Sequence, residues 1–569
     1  MRLTRIGRLS LAILAGSTLA GGLLGRSALA GGGGKLNEEL RLYTSILSAI
    51  QDEYVEEVPA DRLVSASVRE MLRSLDPHSN FLETREYSSL QERQKGSYYG
   101  LGIQVQSIEG NITVVAPFEG TPAHRLGIRA GDVISRIENE DARGMSIDDA
   151  VKRLRGPKGT AVHISVVRQG YEQPLEFTVL RDEIPLHSVP YHFMVSSQTG
   201  YVRLTDFNET TACRPNEPPS CQNELERALS ELQRQGASSI VLDLRDNPGG
   251  LLDQAIAVSN LFLKKGQLVV FTRGRSRRDE FSYITERDGA WVEMPLVVLV
   301  SRHSASASEI VAGALQDHDR AVIVGETTFG KGLVQTVMPL RNVRGYALSL
   351  TTARYYTPSG RSIQRDYGST ALEDYDAGPR DRPPCAQGPG EAKLTDAGRK
   401  VFGGDGIAPD YCVEPEKPSP VVSRLIARQA FVGFSRRYAS AENAGRTDVA
   451  GAGSRPDVAA GKVTLIRRDF EVTPEVLAEF RAFVHEKQLR VDDRELDENR
   501  EVVSRLILEE VLRQVFGEGE ARRRTFKWDV QFQKALASVG AADRLLKDPQ
   551  AFIAVRAAEL RQAGGAARP

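Results

Sequence analysis

Three short runs constrain this chain more than any other feature. Ser239-Ile-Val-Leu-Asp-Leu244, Leu296-Val-Val-Leu-Val300 and Ala321-Val-Ile-Val324 are apolar at successive rather than alternating positions, and helical patterns lie between them. A strand that is apolar on both faces has to be covered on both faces. Strands of that kind, alternating with helices from Gly200 to about Asp410, predict an α/β core whose sheet is packed under helices.

The rest of the chain has a different texture. From Glu38 to Leu75, Leu42, Ile46, Ile50, Leu63, Val64, Val68 and Leu72 recur at helical spacing with a break near Pro59, which predicts two helices. Short β-type runs follow from about Glu83 to Arg181, around one amphipathic helix at Ile147–Leu154, and predict a small separate αβ module. Residues 439–461 are rich in Ala, Gly and Ser without periodicity and read as a flexible linker. Beyond it, Thr473-Pro474-Glu475 opens one helix and Val502, Val503, Leu506, Val511, Val515 and Phe516 stripe another that stops before Gly517.

The 569 residues suffice for three or four domains, and 41% hydrophobic with 26% charged residues excludes a disordered chain. Lys and Arg total 74 against 75 Asp and Glu, a net charge of −1, so no basic field favours nucleic acid. At the start, Arg2, Arg5 and Arg8 precede an apolar stretch from Leu9 to Leu24, and Ala28-Leu29-Ala30 has the small residues of a cleavage site. Residues 1–30 read as a signal peptide and place the protein outside the cytoplasm, in the periplasm or cell envelope. The alternative is an uncleaved membrane anchor.

Four cysteines are too few for a disulfide-built scaffold, and none has zinc-ligand spacing. Cys213 and Cys221 bracket a Pro-rich loop that a bridge would stabilise by about 2–3 kcal/mol in an oxidising compartment. Cys385 and Cys412 then pair by elimination, although four cysteines allow three connectivities.

Chemistry concentrates between Ser301 and Gln335. After the strand ending at Val300, a serine cluster meets a helix starting near Ser306, and Ser306-x-x-Glu309 fits a capping box, the bland reading of that serine. A helix from 306 to 317 climbs ~17 Å and the strand after it descends ~20 Å, so the loop Thr328-Phe-Gly-Lys-Gly332 returns beside the helix N-terminus. Lys331 then reaches Ser306, and burial with the positive helix end lowers its pKa toward that of a general base. Gly330-Lys331-Gly332 lacks the spacing of a phosphate loop, and His303 offers a Ser–His alternative from the turn before the serine. The run Asp243-Leu-Arg-Asp-Asn-Pro-Gly-Gly250 also follows a buried strand, so Gly249 or Gly250 with Ala307 can supply oxyanion donors. Gln335 is placed to orient the ammonium, and Asp317 to pin either the helix end or the Lys loop.

At these residues the sequence resembles the carboxyl-terminal processing, or tail-specific, serine proteases. Ser304-Ala-Ser-Ala-Ser-Glu-Ile, Thr-Phe-Gly-Lys331-Gly and Gln335 carry the likeness, together with Ser74-Leu-Asp-Pro-His-Ser79, Asn247-Pro-Gly-Gly250, Tyr355-Tyr-Thr-Pro-Ser-Gly-Arg-Ser-Ile-Gln364 and Gly406-Ile-x-Pro-Asp410. It spans about residues 38–415. The resemblance implies Ser306 as nucleophile, Lys331 as base, Gln335 as the residue orienting the lysine, an oxyanion hole from Ala307 and a glycine of the turn with Gly250 favoured, and supporting roles for Glu309 and Thr328. It implies no metal and no cofactor. Asp246, the Cys213–Cys221 loop and the Pro-rich insertion around Cys385 depart from the family pattern.

The small module is similar to PDZ domains, with Tyr99-Gly-Leu-Gly-Ile103 as the carboxylate-binding loop. Gly100, Leu101, Gly102 and Ile103 then receive a peptide C-terminus, while Ile147, Val151 and Leu154 favour apolar terminal side chains. Arg155 resembles a position that couples PDZ placement to the active site. The expected fold is α/β multidomain: a ClpP/crotonase-like ββα protease core over 183–415 with an inserted PDZ domain at 84–182. N-terminal helices at 31–83, a linker region at 416–460 and a mainly helical region at 461–569 complete it. The expected function is an exported Ser–Lys endopeptidase acting on polypeptides with exposed apolar C-termini, with a homodimer or adaptor contact through the C-terminal region. The alternative is a non-catalytic PDZ scaffold that binds tails of envelope proteins.

Overall fold

The computed structural model describes residues 33–108, 110–168, 171–214, 216–218, 221–367, 385, 390–443 and 466–565. The expected signal peptide and most of the Ala/Gly/Ser-rich stretch lie outside these residues.

The three apolar runs form adjacent parallel strands, Ser239–Asp243, Leu296–Val300 and Val322–Gly325, in a six-stranded sheet. Thr199–Arg203 and Tyr411–Cys412 extend it in parallel and His192–Met194 closes one edge antiparallel. Their side chains divide by alternation. Ile240, Leu242, Leu296, Val298, Val300 and Ile323 face one core, built with the helices Glu224–Arg234, Leu252–Asn260 and Ala307–Asp317. Val241, Val297, Leu299, Val322 and Val324 face the opposite way and pack against Phe532, Ala535, Ala542, Leu545 and Phe552. The second covering layer thus comes from the last fifty residues, the helices Val530–Ala537, Val539–Lys547 and Pro549–Gly565.

The two N-terminal helices are Gly33–Glu53 and Ala60–Arg73, separated at Pro59 as expected. The chain then adds Asn80–Leu82 to a second sheet, antiparallel to Ala347–Tyr356. That long strand also pairs with Leu333–Pro339 and with Leu268–Gly274.

The small module is a sheet of Ile103–Ile108, Asn111–Pro117, Val133–Ile137, Ala161–Val167 and Leu175–Leu180 with the helix Ile147–Leu154. Its entering strand Ser97–Gly100 and leaving strand Asp182–Pro185 pair antiparallel. Entry and exit therefore lie side by side, as an insertion requires if it is not to distort its host.

One expectation needs correction. Much of the 416–460 segment read as linker is helical: Pro420–Ala427 is capped by Ser419, and Ala430–Asn443 follows. Phe431, Phe434 and Tyr438 are buried in a core with Phe480, Phe483, Val503, Ile507 and Val511. The aromatic residues at i, i+3 and i+7 are the helical signal, and the Ala/Gly-rich composition that follows obscured it. Cys213 is bonded to Cys221 and Cys385 to Cys412.

Candidate active site

Ser306 is the N-cap of the helix Ala307–Asp317 and has φ +54°, a conformation costly for any residue with a Cβ. The turn is held by neighbours on every side. Ser304 Oγ donates to the Leu244 carbonyl at 2.8 Å, the Ala305 N–H to the Asn247 carbonyl at 3.0 Å, and Ser308 Oγ to the same carbonyl at 3.0 Å. The Asn247-Pro-Gly-Gly250 turn is thereby locked against the serine turn.

The Lys loop returns as the helix and strand lengths predicted. The Phe329 N–H donates to the Ser304 carbonyl at 3.0 Å. Glu309, fully buried one turn into the helix, joins the two segments. Its Oε2 accepts the N–H of Ser306 at 2.8 Å and of Lys331 at 2.9 Å, and its Oε1 accepts Thr328 Oγ1 at 2.6 Å and the Gly330 N–H at 2.8 Å. Burial pushes the Glu309 carboxyl up, against the pull of these four donors. Thr328 Oγ1 in turn accepts the Ile407 N–H at 2.7 Å. The Tyr355 hydroxyl contacts the carbonyls of both Ser306 and Lys331.

Burial pushes the Lys331 ammonium down from its ordinary value, while Glu309 and Asp76 pull it back up. Among the described residues its Nζ has no hydrogen-bond or ion-pair partner, and no hydrogen bond joins it to the Ser306 hydroxyl. Gln335, expected to orient the lysine, donates its Nε2 to Thr351 Oγ1 at 3.2 Å instead.

The two glycines differ. The Gly249 N–H is taken by Asn247 Oδ1 at 2.9 Å, whereas neither the Gly250 nor the Ala307 N–H donates to an acceptor among the described residues. Gly249 has φ +97°, and a Cβ there would stand 2.8 Å from Ala305 O, Ala307 N and Ser306 Cβ. The two turns meet at a distance that only glycine allows.

His303 is not part of this arrangement. Its exposed ring turns outward, Nδ1 lying 3.2 Å from Asp246 Oδ1. Asp317 pins the helix end and not the Lys loop: it forms a buried pair with Arg361 at 2.7 Å and accepts the Ser359 N–H at 3.0 Å.

A group that sequence reasoning left without a role also enters the site. Asp76 Oδ1 accepts the N–H groups of His78 and Ser79, both at 2.8 Å, and Ser79 Oγ donates to Oδ2 at 2.7 Å. The His78 imidazole is pushed down to about 4, first by burial and then by the charge of Lys331. Asp76, His78 and Ser79 sit in the Ser74–Ser79 motif, which was visible, but nothing in that motif disclosed which distant strand it would meet.

In the small module, Ile103–Ile108 is an edge strand facing the helix Ile147–Leu154. Leu101 and Leu154 are buried there, with Ile103, Val105 and Ile147 packed on them and Val151 half-buried on the helix. The carbonyls of Leu101 and Gly102 accept the N–H groups of Ala123 and Phe118 at 3.0 and 2.8 Å, while their own N–H groups donate to nothing among the described residues. Arg155, at the helix end, pairs with Glu92 and lies 4.5 Å over the Tyr98 ring, which ties the module to the helix Thr84–Lys95.

Comparison with known proteins agrees with this geometry. The model for Peptidase family S41 matches residues 198–370 and that for the PDZ domain residues 88–167. The carboxy-terminal-processing protease of Bartonella bacilliformis is 41% identical over 331 residues, 58% of this chain and 73% of that protein. The carboxy-terminal processing protease CtpA of Bacillus subtilis is 35% identical over 344 residues, 60% of this chain and 70% of the relative. The carboxyl-terminal-processing protease of Synechocystis is 37% identical over 305 residues, 52% and 68%. With both domain models matched and these identities over more than two thirds of the first two relatives' lengths, the chain belongs to the carboxy-terminal-processing proteases, serine peptidases of family S41.

Proposed function

We propose that the protein is an exported endopeptidase that selects polypeptides by an apolar C-terminal tail and cuts them with a Ser306–Lys331 dyad. The observation that carries this reading is the pair of N–H groups, of Gly250 and Ala307, that donate to no acceptor among the described residues in the two turns meeting at Ser306. Donors left bare at the end of a helix, beside a strained serine, suit an oxyanion and little else.

Neutral Lys331 takes the Ser306 Oγ proton as Oγ attacks the scissile carbonyl carbon. The tetrahedral oxyanion accepts from Gly250 and Ala307. The C–N bond then breaks as the Lys331 ammonium returns the proton to the leaving nitrogen. Water, deprotonated by the same amine, hydrolyses the acyl-enzyme ester and restores Ser306. The absence of a Ser306–Lys331 hydrogen bond fits a site without substrate, where such contacts are commonly long. Gln335 supports the lysine, and Glu309 and Thr328 hold the loop that carries it.

The N–H groups of Leu101 and Gly102, without an acceptor among the described residues, suit a terminal carboxylate, with the peptide adding a strand beside Ile103–Ile108. Ile147, Val151 and Leu154 then meet its last side chains, and Arg155 ties the occupied groove through Glu92 to the helix Thr84–Lys95, whose Gln94 carbonyl accepts the Glu209 N–H of the protease core. Export rests on the pattern of residues 1–30. Among the described residues no helix is long and apolar enough to cross a membrane.

Mass spectrometry of a partly unfolded protein with an apolar C-terminus, incubated with the enzyme, Ser306→Ala and Lys331→Ala, tests the reading. Cleavage by the wild type alone is the expected result. Equal cleavage by either variant would overturn the dyad, and binding of the tail without cleavage by any form would favour the scaffold.

A further inference from the structure

The lysine-orienting residue is itself held in one sense by a chain of hydrogen bonds from the N-terminal segment. Gln335 lies opposite Thr351 across the pair Leu333–Pro339 and Ala347–Tyr356 because the register shifts between Val334 and Gln335 and skips Thr352. That irregularity sets the Thr351 side chain beside the Gln335 amide. Thr351 Oγ1 then lies 3.1 Å from Asp76 Oδ1, and the Thr351 N–H donates to Ser79 Oγ at 3.1 Å.

The direction of the chain follows from proton counting. A carboxylate only accepts, so the single hydroxyl hydrogen of Thr351 goes to Asp76. With that hydrogen committed, Thr351 Oγ1 can only accept from Gln335, which must turn its NH2 group toward it. The Gln335 carbonyl oxygen is left facing the other way, and among the described residues it accepts from no donor. Lys331, four residues earlier, has three ammonium donors and, among the described residues, no hydrogen-bond partner. Its charge also lies within electrostatic reach of Asp76.

We propose that Asp76 is a positioning residue for the general base, acting through Thr351 to fix the flip of the Gln335 amide so that its carbonyl oxygen serves the Lys331 ammonium. The inference rests on the reading of Lys331 as base. It makes the segment ahead of the PDZ domain part of the catalytic apparatus, although it touches neither Ser306 nor the scissile bond. Release of the Ser74–Ser79 turn would free Gln335 to rotate and present a donor to a cation.

The test is steady-state cleavage of a peptide with an apolar C-terminus by the full chain, Thr351→Val, Thr351→Ser and Asp76→Ala, with Lys331→Ala as control. Thr351→Val keeps the shape but not the hydroxyl, and is expected to lower kcat about tenfold or more with KM nearly unchanged. Thr351→Ser restores most of kcat, and Asp76→Ala, which removes the acceptor that commits the Thr351 hydrogen, behaves like Thr351→Val. Melting midpoints separate a folding defect from the effect sought, and Asp76→Ala gives a second reading should Thr351→Val unfold. Wild-type kcat in Thr351→Val and Asp76→Ala, or equal losses in Thr351→Val and Thr351→Ser, overturns the relay while an inactive Lys331→Ala leaves the dyad standing. Wild-type activity in Lys331→Ala overturns both.

Discussion

Glu309 Oε2 accepts the backbone N–H of Lys331 at 2.9 Å and, with the same oxygen, that of Ser306 at 2.8 Å. One carboxylate oxygen therefore sets the spacing between the two turns that carry the proposed nucleophile and base. A side chain that was a helix cap in the sequence is also the clamp of the site, since the capping geometry leaves its second oxygen free for Thr328 and Gly330.

Replacing Glu309 by Gln places an NH2 group against buried N–H or O–H donors. The expected outcome is a loss of about 2–4 kcal/mol in stability and a fall of roughly a hundredfold in cleavage, because the loop carrying Lys331 shifts. Denaturant melts and peptide cleavage measure the two separately. Wild-type values in both would show that the clamp is dispensable.

Cleavage should rise with pH on its acid limb, since the base works only when neutral. Burial lowers the Lys331 pKa, so the limb lies below the ordinary lysine range. Glu309, Asp76 and His78 are the titratable neighbours. Removing the Asp76 charge in Asp76→Asn removes a group that favours the ammonium and should move the limb to lower pH. A pH profile of kcat/KM for both proteins decides, and a limb at unperturbed lysine values would count against Lys331 as base.

His78 titrates at about 4 instead of 6.5. Its folded pKa is depressed, so the unfolded chain takes up a proton first as the pH falls. Stability should decline between pH 6.5 and 4 by up to about 3 kcal/mol on this account. His78→Gln removes the effect, so the difference between the two urea stability curves should change by that amount between pH 6.5 and 4 and stay constant below pH 4. Parallel curves across the range would mean that the imidazole protonates normally.

Gly102 has φ +77°, and a Cβ there would lie 2.3 Å from Thr121 Cβ. Gly102→Ala is expected to cost about 1–3 kcal/mol and to weaken binding of apolar tails. Cleavage of short peptides that do not engage the groove should change little. Calorimetric titration of a tail peptide into the Ser306→Ala enzyme measures the binding, and unchanged affinity would move the tail site elsewhere.

Arg361→Met strips Asp317 of its buried partner, each being 1% exposed. A loss of about 3–5 kcal/mol is expected, from an uncompensated buried carboxylate. Chemical unfolding checks this, and a loss below about 1 kcal/mol would mean that Ser359 and the helix end suffice to hold the charge.

Much of the site was legible because its parts are local. Ser306, Glu309 and the return of Lys331 follow from a capping box, a helix length and a strand length. The choice of Gly250 over Gly249 was not, since it depends on Asn247 Oδ1 occupying one N–H. Nor was the partner of Gln335, which a shifted register moves to Thr351.

The sequence by itself determined that the runs 239–244, 296–300 and 321–324 form strands buried on both faces, that helices lie between them, and that a PDZ module interrupts the chain. Hydrophobic period, caps and turn residues act over a few residues and can be read without knowing the fold. Only the tertiary structure decided what covers the second face of the sheet and what holds the proposed catalytic groups. Phe532 and Phe552 meet Val297 and Val324, and Asp76 meets Thr351, across hundreds of residues. Apolar burial is nondirectional, and an isolated carboxylate accepts from any donor, so such partners are chosen by the packing of the whole chain.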